Sequence, residues 1–346
     1  MRHLVRPGRL ACAVLLLAVT IGCGPAGSNV AGLRRAADGG RAQARGGRVE
    51  QAVDEARLRS RLSVLTGVTP LGPALSIPER GTVQGRALTR RMITETLQGL
   101  GYTVEVQRYR QNGENMIVRL AAESPSDTWV LVGAHMDSVR NAGADDNGSG
   151  TAGVLEAATV LAGLPGRKVN LMFAFFDEEE LGLVGSEAMA REFRKQGLKL
   201  AAVHTADMIG YDADNDRTVE IERPDGNLWD YYKMVNETHG LNLPLVRTNS
   251  GDTDHVAFRA QGFPSVGMCE EWVGKDTTPH YHRKTDTLAT LSLPFVASTT
   301  RLMVAVLADQ VRGVPGPVQF KQVPHDRFPG RPRHLHHGAG PSHPAE

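Results

Sequence analysis

Five short segments of this chain combine carboxylate and imidazole side chains at a spacing that favours metal chemistry. They are HMDS at residues 135–138, GADDNGSG at 143–150, DEEE at 177–180, DMIG at 207–210 and HYH at 280–282. Imidazole nitrogen and carboxylate oxygen are the donors that zinc and similar borderline ions prefer. Alone, each segment has an ordinary explanation as a turn, a helix end or a surface loop, but the whole set favours a metal centre.

The acidic run at 177–180 directly follows the apolar stretch at 171–176. Four neighbouring carboxylates at the end of a buried strand repel one another and lose hydration, so positive charge has to compensate them. No lysine or arginine lies nearby in the sequence. We therefore predict that a divalent cation keeps these carboxylates ionised.

Apolar strands alternate with helices between residues 48 and 312. The pattern predicts strands at 102–109, 116–121, 129–133, 169–176, 200–208, 218–222 and 265–268, and helices at 48–65, 82–97, 149–162, 186–196, 228–239 and 294–311. Such alternation is typical of a single α/β domain with a mostly parallel central sheet covered by helices on both faces. The chemistry-bearing segments follow predicted strands or lie in loops, and strand ends are where open α/β sheets bind ligands.

The composition is that of a globular protein without a strong overall charge. The 346 residues include 39 Lys and Arg against 38 Asp and Glu, which gives a net charge of +1, and 41% of the residues are hydrophobic. This charge balance gives the protein no overall electrostatic field that would attract nucleic acid. The hydrophobic fraction argues against a chain that is disordered throughout. The chain has three cysteines, which excludes a disulfide framework.

The two ends of the chain differ from its middle. Residues 1–23 carry three arginines and then an apolar run at 10–21 that is too short to span a bilayer, which predicts a signal peptide. The box TIGC at 20–23 resembles the cleavage site of bacterial lipoproteins, so Cys23 is a candidate for lipidation and membrane attachment. Ordinary secretion and a buried N-terminal helix are the alternatives. Residues 24–47 predict a flexible tether and residues 313–346 a disordered tail rich in Pro and His. We expect an exported protein, either a cell-envelope lipoprotein or a secreted one.

The order of the five segments resembles the secreted di-zinc exopeptidase family that includes the bacterial leucyl aminopeptidases. The resemblance extends to DEEELGLVGS and YH-x-x-x-DT and covers roughly Pro78 to Val311. It implies a zinc peptidase domain at 48–312, built on a mixed, mostly parallel sheet of about eight strands sandwiched by helices. It also implies hydrolysis of the N-terminal peptide bond of peptides with two Zn²⁺ per chain.

The resemblance also assigns the metal ligands one residue at a time. His135 and Asp207 would bind one zinc ion, and Glu180 and His282 would bind the other. Asp145, the first acid of GADDN, would bridge the two ions.

Two further roles follow from the same resemblance, and two assignments keep an alternative. Glu179 matches the general base of the family, and Asp137, two residues after the first histidine, would hold that imidazole in orientation. If the register were one residue off, Glu178 would be the base and Glu179 the ligand. His280 competes with His282, which its spacing to the following Asp-Thr pair favours.

In this chemistry two zinc ions clamp a water molecule and lower its pKa toward neutrality. Glu179 would accept the water proton and deliver it to the departing amide nitrogen. Tyr281 is a candidate for stabilising the oxyanion. Glu270 and Glu271 are candidates for binding the free α-amino group of the substrate, with solvated surface acids as the alternative. The stretch 253–255 resembles a Ser-Asp-His stretch of the family and is expected to shape the site without binding metal.

Three functions remain open from the sequence. The first is a di-zinc aminopeptidase acting on peptides with a free N-terminus. The second is another zinc amide hydrolase or a glutaminyl cyclase on the same scaffold, and the presence of both His135 and Asp207 argues against a one-zinc cyclase. The third is an inactive surface binding module, against which the presence of Glu179 argues. We expect peptide substrates, no nucleic-acid partner and a monomer.

Overall fold

The computed structural model describes residues 48–249, 251–274 and 276–314. The predicted signal peptide with Cys23, the predicted tether and all but the first two residues of the predicted tail lie outside this part of the chain. Among the described residues, no helix combines the length and the apolar character needed to cross a membrane.

An eight-stranded mixed sheet forms the centre of the described chain. Its strands are β1 (Val104–Arg110), β2 (Gly113–Leu120), β3 (Thr128–His135), β4 (Asn170–Phe176), β5 (Lys199–Ala206), β6 (Val219–Glu222), β7 (Leu245–Thr248) and β8 (Ser265–Cys269), in the spatial order β1-β2-β4-β3-β5-β8-β6-β7. The central strands β4, β3, β5 and β8 are parallel to one another, as are β6 and β7, whereas β1/β2, β2/β4 and β6/β8 are antiparallel. The predicted mixed, mostly parallel sheet is confirmed.

Seven α-helices accompany the strands in the described residues. They are α1 (Glu55–Leu65), α2 (Val83–Gly99), α3 (Gly150–Leu161), α4 (Val184–Lys195), α5 (Leu228–Thr238), α6 (Asp254–Ala260) and α7 (Leu293–Arg312). Polar side chains cap the first two: the Asp54 carboxylate accepts the backbone N–H of Arg57, and the Thr82 hydroxyl oxygen accepts that of Gly85. The last helix ends at Gly313, whose φ of 67° favours glycine.

Both faces of the sheet are buried under helices. Along β3, Val130 and Val132 pack into the larger apolar cluster with α1, α2, α3, α5 and α7. Leu131, which points to the opposite face, packs into the smaller cluster with α4 and α6. The same alternation continues along β4, where Phe173 lies on one face and Phe176 on the other. The carboxyl edge of the parallel strands is therefore the place where polar loops can meet.

Candidate metal centre

The predicted ligands lie at the carboxyl edge of neighbouring parallel strands. His135 is the last residue of β3, the acidic run follows β4, and Asp207 directly follows β5. β3 pairs in parallel with both β4 and β5, so the three strand ends meet at one edge. The loop from 278 to 287 reaches the same edge and brings His282, whose Nε2 lies 3.0 Å from Glu180 Oε2.

Asp146 lies between the two histidines. One of its carboxylate oxygens, Oδ1, lies 3.3 Å from Nε2 of His135, and the other, Oδ2, lies 3.2 Å from Nε2 of His282. Asp207 Oδ1 lies 3.2 Å from the same nitrogen of His135. Two sets of donors, each with one imidazole, therefore share a single carboxylate.

The donor spacing fits metal coordination. Donors bound tetrahedrally at ~2.0 Å from a zinc ion are separated by roughly 3.3 Å, and the nitrogen-to-oxygen distances of both sets are 3.0 to 3.3 Å. His135, Asp146 and Glu180 offer donor atoms that all lie within 4.8 Å of one another. The chemistry of the donors, imidazole nitrogen with carboxylate oxygen, suits a borderline ion such as zinc.

Asp146, rather than the predicted Asp145, is the aspartate that faces the two histidines. Asp146 has an extended backbone, with φ of −98° and ψ of 95°, so the side chains of the two neighbouring acids project in different directions. Asp145 turns away from the histidines, and its Oδ1 accepts the backbone N–H of Gly210 at 3.0 Å. Its carboxyl group also contacts that of Glu270.

The acidic run divides into two pairs with different surroundings. Asp177 forms ion pairs with Arg86 at 2.9 Å and Arg90 at 3.0 Å, and Glu178 with Arg86 at 3.0 Å and Arg110 at 2.6 Å. These arginines come from α2 and β1, which the local sequence could not indicate. The expectation that a cation must compensate all four acids is therefore wrong for the first two, because remote arginines neutralise them.

Glu179 and Glu180 face the centre instead. Oε2 of Glu179 lies 4.0 Å from Nε2 of His135. The φ of 63° at Glu178 reverses the chain between the two pairs. Glu178 is held by arginines outside the centre, so Glu179 rather than Glu178 faces the two donor sets without joining either of them.

Asp137 fixes the backbone that carries these two acids. Its Oδ1 accepts the N–H of Glu179 at 3.1 Å, and its Oδ2 accepts the N–H of Glu180 at 3.2 Å. Oδ1 also lies 3.5 Å from Nδ1 of His135, which has no closer partner among the described residues. Asp137 thus lies beside His135 and fixes the position of the acidic turn.

The buried carboxylates of the centre would be stabilised by a bound cation. Burial and the negative charge of Asp146 together raise the pKa of Glu180 to about 7. Burial also raises the pKa of Glu179 well above its ordinary value. Burial alone would lower the pKa of His282, but hydrogen bonds with Asp146 and Glu180 raise it to about 10. Buried carboxylates outnumber imidazoles here, so bound positive charge would be strongly stabilised.

His280 takes no part in this cluster. Its Nδ1 lies 3.0 Å from the hydroxyl oxygen of Thr285, and its ring packs edge-on against Tyr211. Between the two competing histidines, His282 is the one that faces Asp146 and Glu180.

Aromatic rings and further acids surround the centre. The ring of Tyr281 stacks on that of His282 with centroids 3.8 Å apart, and Trp272 packs edge-on against Tyr281 at 4.9 Å. Glu270 is fully buried and accepts a backbone N–H, so it does not line an open pocket mouth, whereas Glu271 is partly exposed. The oxyanion role of Tyr281 stays a prediction.

The stretch 253–255 lies beside the centre, as expected. Asp254 and His255 are buried, and the negative charge of Asp254 contributes to the raised pKa of Glu179, after burial and Asp207. His255 Nδ1 lies 3.1 Å from the Thr253 hydroxyl oxygen. Cys269 is a buried free thiol.

Arg80 is a residue that the sequence analysis missed. Its guanidinium group is fully buried and donates hydrogen bonds to the carbonyl oxygens of Met136, Ala142 and Gly143 at 2.5 to 3.0 Å. It therefore joins the loop after β3 to the loop that carries Asp146. No spacing signal surrounds Arg80, so the sequence offered no means of finding it.

Asp286 is a second supporting residue to which no role was assigned. Its two carboxylate oxygens accept the backbone N–H groups of Asp145 at 2.8 Å and Asp146 at 3.1 Å. It thereby fixes the backbone that carries the shared carboxylate. Its position four residues after His282 in the YH-x-x-x-DT segment was the available signal.

Comparisons with known proteins find similar sequences and folds. The sequence profile of peptidase family M28 matches residues 115–307, more than half of the chain. A probable leucine aminopeptidase of Arthroderma benhamiae is 32% identical over 200 residues, which cover 54% of this chain and 55% of that protein. The matched region thus spans little more than half the length of that relative.

Two solved structures extend the comparison. A zinc aminopeptidase from Bacillus subtilis is 27% identical, with a TM-score of 0.53, over 57% of this chain and 50% of that chain. The glutaminyl cyclase of Porphyromonas gingivalis is 19% identical, with a TM-score of 0.63, over 75% of this chain and 99% of that chain. The second similarity is one of fold alone.

Proposed function

The chain belongs to peptidase family M28, and we propose that it is a zinc aminopeptidase with two Zn²⁺ per chain. One observation carries the proposal: Asp146 turns one oxygen toward His135 and the other toward His282, at 3.3 and 3.2 Å. A carboxylate shared between two imidazoles suits a pair of metal ions ~3.5–4 Å apart. A centre for one ion would leave one imidazole without a role.

In this proposal the ligand sets follow the observed contacts. His135 and Asp207 would hold one ion, Glu180 and His282 the other, and Asp146 both. When bound, the ions would polarise the scissile carbonyl group and acidify a water molecule. Relative to the sequence-based ligand set, the only change is Asp146 in place of Asp145.

Glu179 is the residue that we propose to move the proton. It is buried, its carboxylate points at the centre, and its backbone N–H is fixed by Asp137 at 3.1 Å. A carboxylate with a raised pKa accepts a proton from water readily near neutral pH and can return it to the departing amide nitrogen. One side chain would thus serve as base and then as acid.

The proposed substrates are peptides with a free N-terminus. An α-ammonium group is attracted by the excess of carboxylates around the centre, where Asp207 and Glu179 lie 3.2 and 4.0 Å from Nε2 of His135. Glu270 is withdrawn as a candidate for binding this group because it is fully buried and accepts the N–H of Tyr211. Glu271 remains a candidate.

The proposal is tested by a metal count and a substrate panel. We expect close to two zinc ions per chain, and hydrolysis of aminoacyl anilides but not of their N-blocked analogues. Asp146→Asn should leave at most one ion, because the shared ligand is weakened in both sets. The neighbouring Asp145→Asn is the matched control and should keep two. If Asp145→Asn loses zinc while Asp146→Asn keeps it, the bridge assignment is wrong.

A glutaminyl cyclase is the second candidate, and the fold similarity over 99% of one such enzyme favours keeping it. Both His135 and Asp207 are present and lie 3.2 Å apart, which favours a complete second set of ligands over a one-zinc cyclase. Cyclisation of an N-terminal glutamine peptide, with no release of amino acid from the panel, would replace the aminopeptidase proposal with this one.

We also propose that the peptidase domain extends over residues 48–312 and that the protein is an exported monomer. The basis for export is the signal-peptide pattern of residues 1–23, with Cys23 as the lipidation site. Mass analysis of the mature N-terminus distinguishes the cases, because lipidation requires cleavage directly before Cys23. An intact Met1 would contradict export.

A further inference from the structure

A row of polar side chains crosses the sheet beside the metal centre. Strand pairing aligns Thr205 of β5 with Gly267 of β8, Gly267 with Glu222 of β6, and Glu222 with Thr248 of β7. Paired residues point to the same face of a sheet, so these four positions form one row. The row lies on the face that packs against α4 and α6, since Val203, two residues before Thr205, belongs to that apolar cluster.

The next row connects the proposed ligand Asp207 to a second glutamate. β8 pairs Cys269 with Glu220 of β6, and Asp207 continues the pairing of β5 with β8, since its N–H donates to the carbonyl oxygen of Met268 at 3.0 Å. Neighbouring strands lie ~4.8 Å apart, so the backbone of β6 runs ~10 Å from that of β5. Only β8, with a small thiol at Cys269, separates the two glutamates of β6 from the metal centre.

The carboxylate of Glu222 lies over the backbone of β8. A Cβ atom at residue 267 would come within 2.6 Å of Glu222 Oε2 and within 2.8 Å of His255 Nδ1. Gly267 therefore leaves the space that this carboxylate occupies, on the strand next to β5. The proximity of Asp207 is also felt electrostatically: after burial, its negative charge is the largest cause of the raised pKa of Glu222.

The two rows have unused capacity for hydrogen bonds. Glu220 is 1% exposed and Glu222 is 2% exposed, and neither forms an ion pair with a described lysine, arginine or histidine. Arg223, which follows Glu222 in the chain, pairs with Asp252 at 2.9 Å instead. Four buried oxygens lack a partner among the described residues, and their side chains are here called the polar floor: Thr205 Oγ1, Glu220 Oε2, Glu222 Oε2 and Thr248 Oγ1. Buried carboxylates without a compensating cation are costly.

A cavity of about 320 Å³ borders the polar floor. Glu220 and Thr248 line it, together with Glu271 and Val273 of the loop after β8. Glu220 Oε1 accepts the N–H of Val273 at 2.8 Å, which leaves its other oxygen free of partners. Arg247 also borders the cavity, but it is exposed and lies on the opposite face of β7 from Thr248. The floor thus has space beside it for a further side chain.

We propose that the polar floor binds the side chain of the substrate's N-terminal residue, and that Glu222 selects lysine or arginine there. The inference rests on the proposed function, because that function places the N-terminal residue at the metal centre beside Asp207.

The chemistry of a basic side chain matches the floor. An ammonium or guanidinium group carries several N–H donors and no acceptor, and the floor offers unpartnered oxygens. Its positive charge would compensate Glu222 and Glu220, and its long stem can pass over Gly267 and Cys269. A leucine side chain in the same place would leave the buried oxygens without partners, which disfavours it.

Neutral analogues of the same length test the proposal. We expect the wild type to hydrolyse a lysyl anilide with a kcat/KM at least ~10-fold above that of the norleucyl anilide. The arginyl anilide should exceed the citrullyl anilide in the same direction. Free L-lysine and L-norleucine, titrated by calorimetry into the zinc-loaded full chain, should show the same order of affinity without turnover.

Amide substitutions assign the selectivity to the floor. Glu222→Gln keeps the size of the side chain and removes its charge, so kcat/KM on the lysyl anilide should fall at least ~10-fold while that on the norleucyl anilide changes less than ~threefold. Glu220→Gln should reduce the same ratio, because it removes the second charge. Glu237→Gln, an exposed acid on α5, is the control and should keep the wild-type ratio.

The outcomes separate this inference from the proposed function. A wild type that prefers the norleucyl anilide, or that treats the two anilides equally, overturns the selectivity without the need for a variant. An unchanged ratio in Glu222→Gln, with zinc content and norleucyl turnover preserved, overturns the role of Glu222. If that variant does not fold, an unchanged ratio in Glu220→Gln overturns the role of the floor. A wild type that hydrolyses none of the anilides overturns the proposed function itself.

Discussion

Glu178 and Glu179 are chemically identical neighbours that the fold places in opposite surroundings. Glu178 is held by Arg86 and Arg110, whereas Glu179 lies within 4.0 Å of His135 and pairs with none of the arginines that the structure describes. The left-handed backbone at Glu178, with φ of 63°, produces this division. The chemical role of a residue in the acidic run is therefore decided by the turn rather than by its side-chain type.

Glu179→Gln tests this division at the residue scale. The amide has the size of the carboxylate but cannot accept the water proton, so we expect kcat to fall by roughly 10²–10⁴ while zinc content stays near the wild-type value. Metal analysis beside kcat on a free-amine anilide checks both. Glu237→Gln should behave as wild type in both measurements. Loss of an ion with turnover retained would instead make Glu179 a ligand and support the alternative register.

Individual site residues were also the features that the sequence predicted least completely. Sequence reasoning found both histidines, Asp207 and the acidic run because their types and order are distinctive. It assigned the bridge to Asp145 rather than Asp146, because two adjacent aspartates differ only in the backbone dihedral angles that aim them. Arg80 was invisible for a related reason: its partners are carbonyl oxygens, which every residue has.

At the scale of elements, α2 and β1 supply the arginines that pair with Asp177 and Glu178, the first two residues of the acidic run. Arg86 is 5% exposed and pairs with Asp177 and Glu178, which are 0% and 2% exposed. A buried acid that loses its partner is strongly destabilising because the remaining charge is not compensated. The hairpin and the helix are thus attached to β4 by charge as well as by apolar packing.

Arg86→Met should lower the free energy of unfolding by about 3–5 kcal/mol, measured by urea denaturation in the presence of zinc. Arg91→Met is the matched control on the same helix, because Arg91 is half exposed and pairs with Glu95 one turn away. We expect that variant to change the free energy of unfolding by less than ~0.5 kcal/mol. Equal effects of the two substitutions would contradict the buried network.

Most elements could be predicted because their apolar pattern is long. The strands β3 and β4 are almost continuously apolar, because both of their faces are buried. In α7, apolar residues recur at helical spacing over the whole length of the helix. β7 and α6 were not predicted. β7 has only four residues, two of them exposed, and α6 has seven residues, which is too short to establish a period.

At the scale of the whole molecule, His204 ties the sheet to two helices. It lies on β5, its Nε2 donates to Gln310 Oε1 of α7 at 2.8 Å, and its Nδ1 accepts the hydroxyl of Tyr232 on α5 at 3.0 Å. Burial lowers the pKa of this imidazole to about 4, below its ordinary value of 6.5. The unfolded chain therefore binds more protons than the folded chain between these two pH values, and stability falls as the pH decreases through that window.

The expected size of this effect is about 2 kcal/mol between pH 7.5 and pH 5. His204→Gln removes the titrating group, so its free energy of unfolding should decrease by about 2 kcal/mol less than that of the wild type over the same range. Denaturation in chelator at both pH values measures the difference without a contribution from metal. His255, which is also buried, titrates in both proteins and cancels. Identical pH dependence of the two proteins would show that His204 is not kept neutral by the fold.

The proposed ligand set runs from residue 135 to residue 282 and includes side chains from five separate loops or strand ends. An unfolded chain holds these donors too far apart to chelate, so the proposed ions would bind the native state almost exclusively. Saturating zinc would then stabilise the folded state of the whole domain. Its melting temperature would rise in proportion to the logarithm of the free ion concentration. A nascent polypeptide would acquire its ions last, after the sheet has closed.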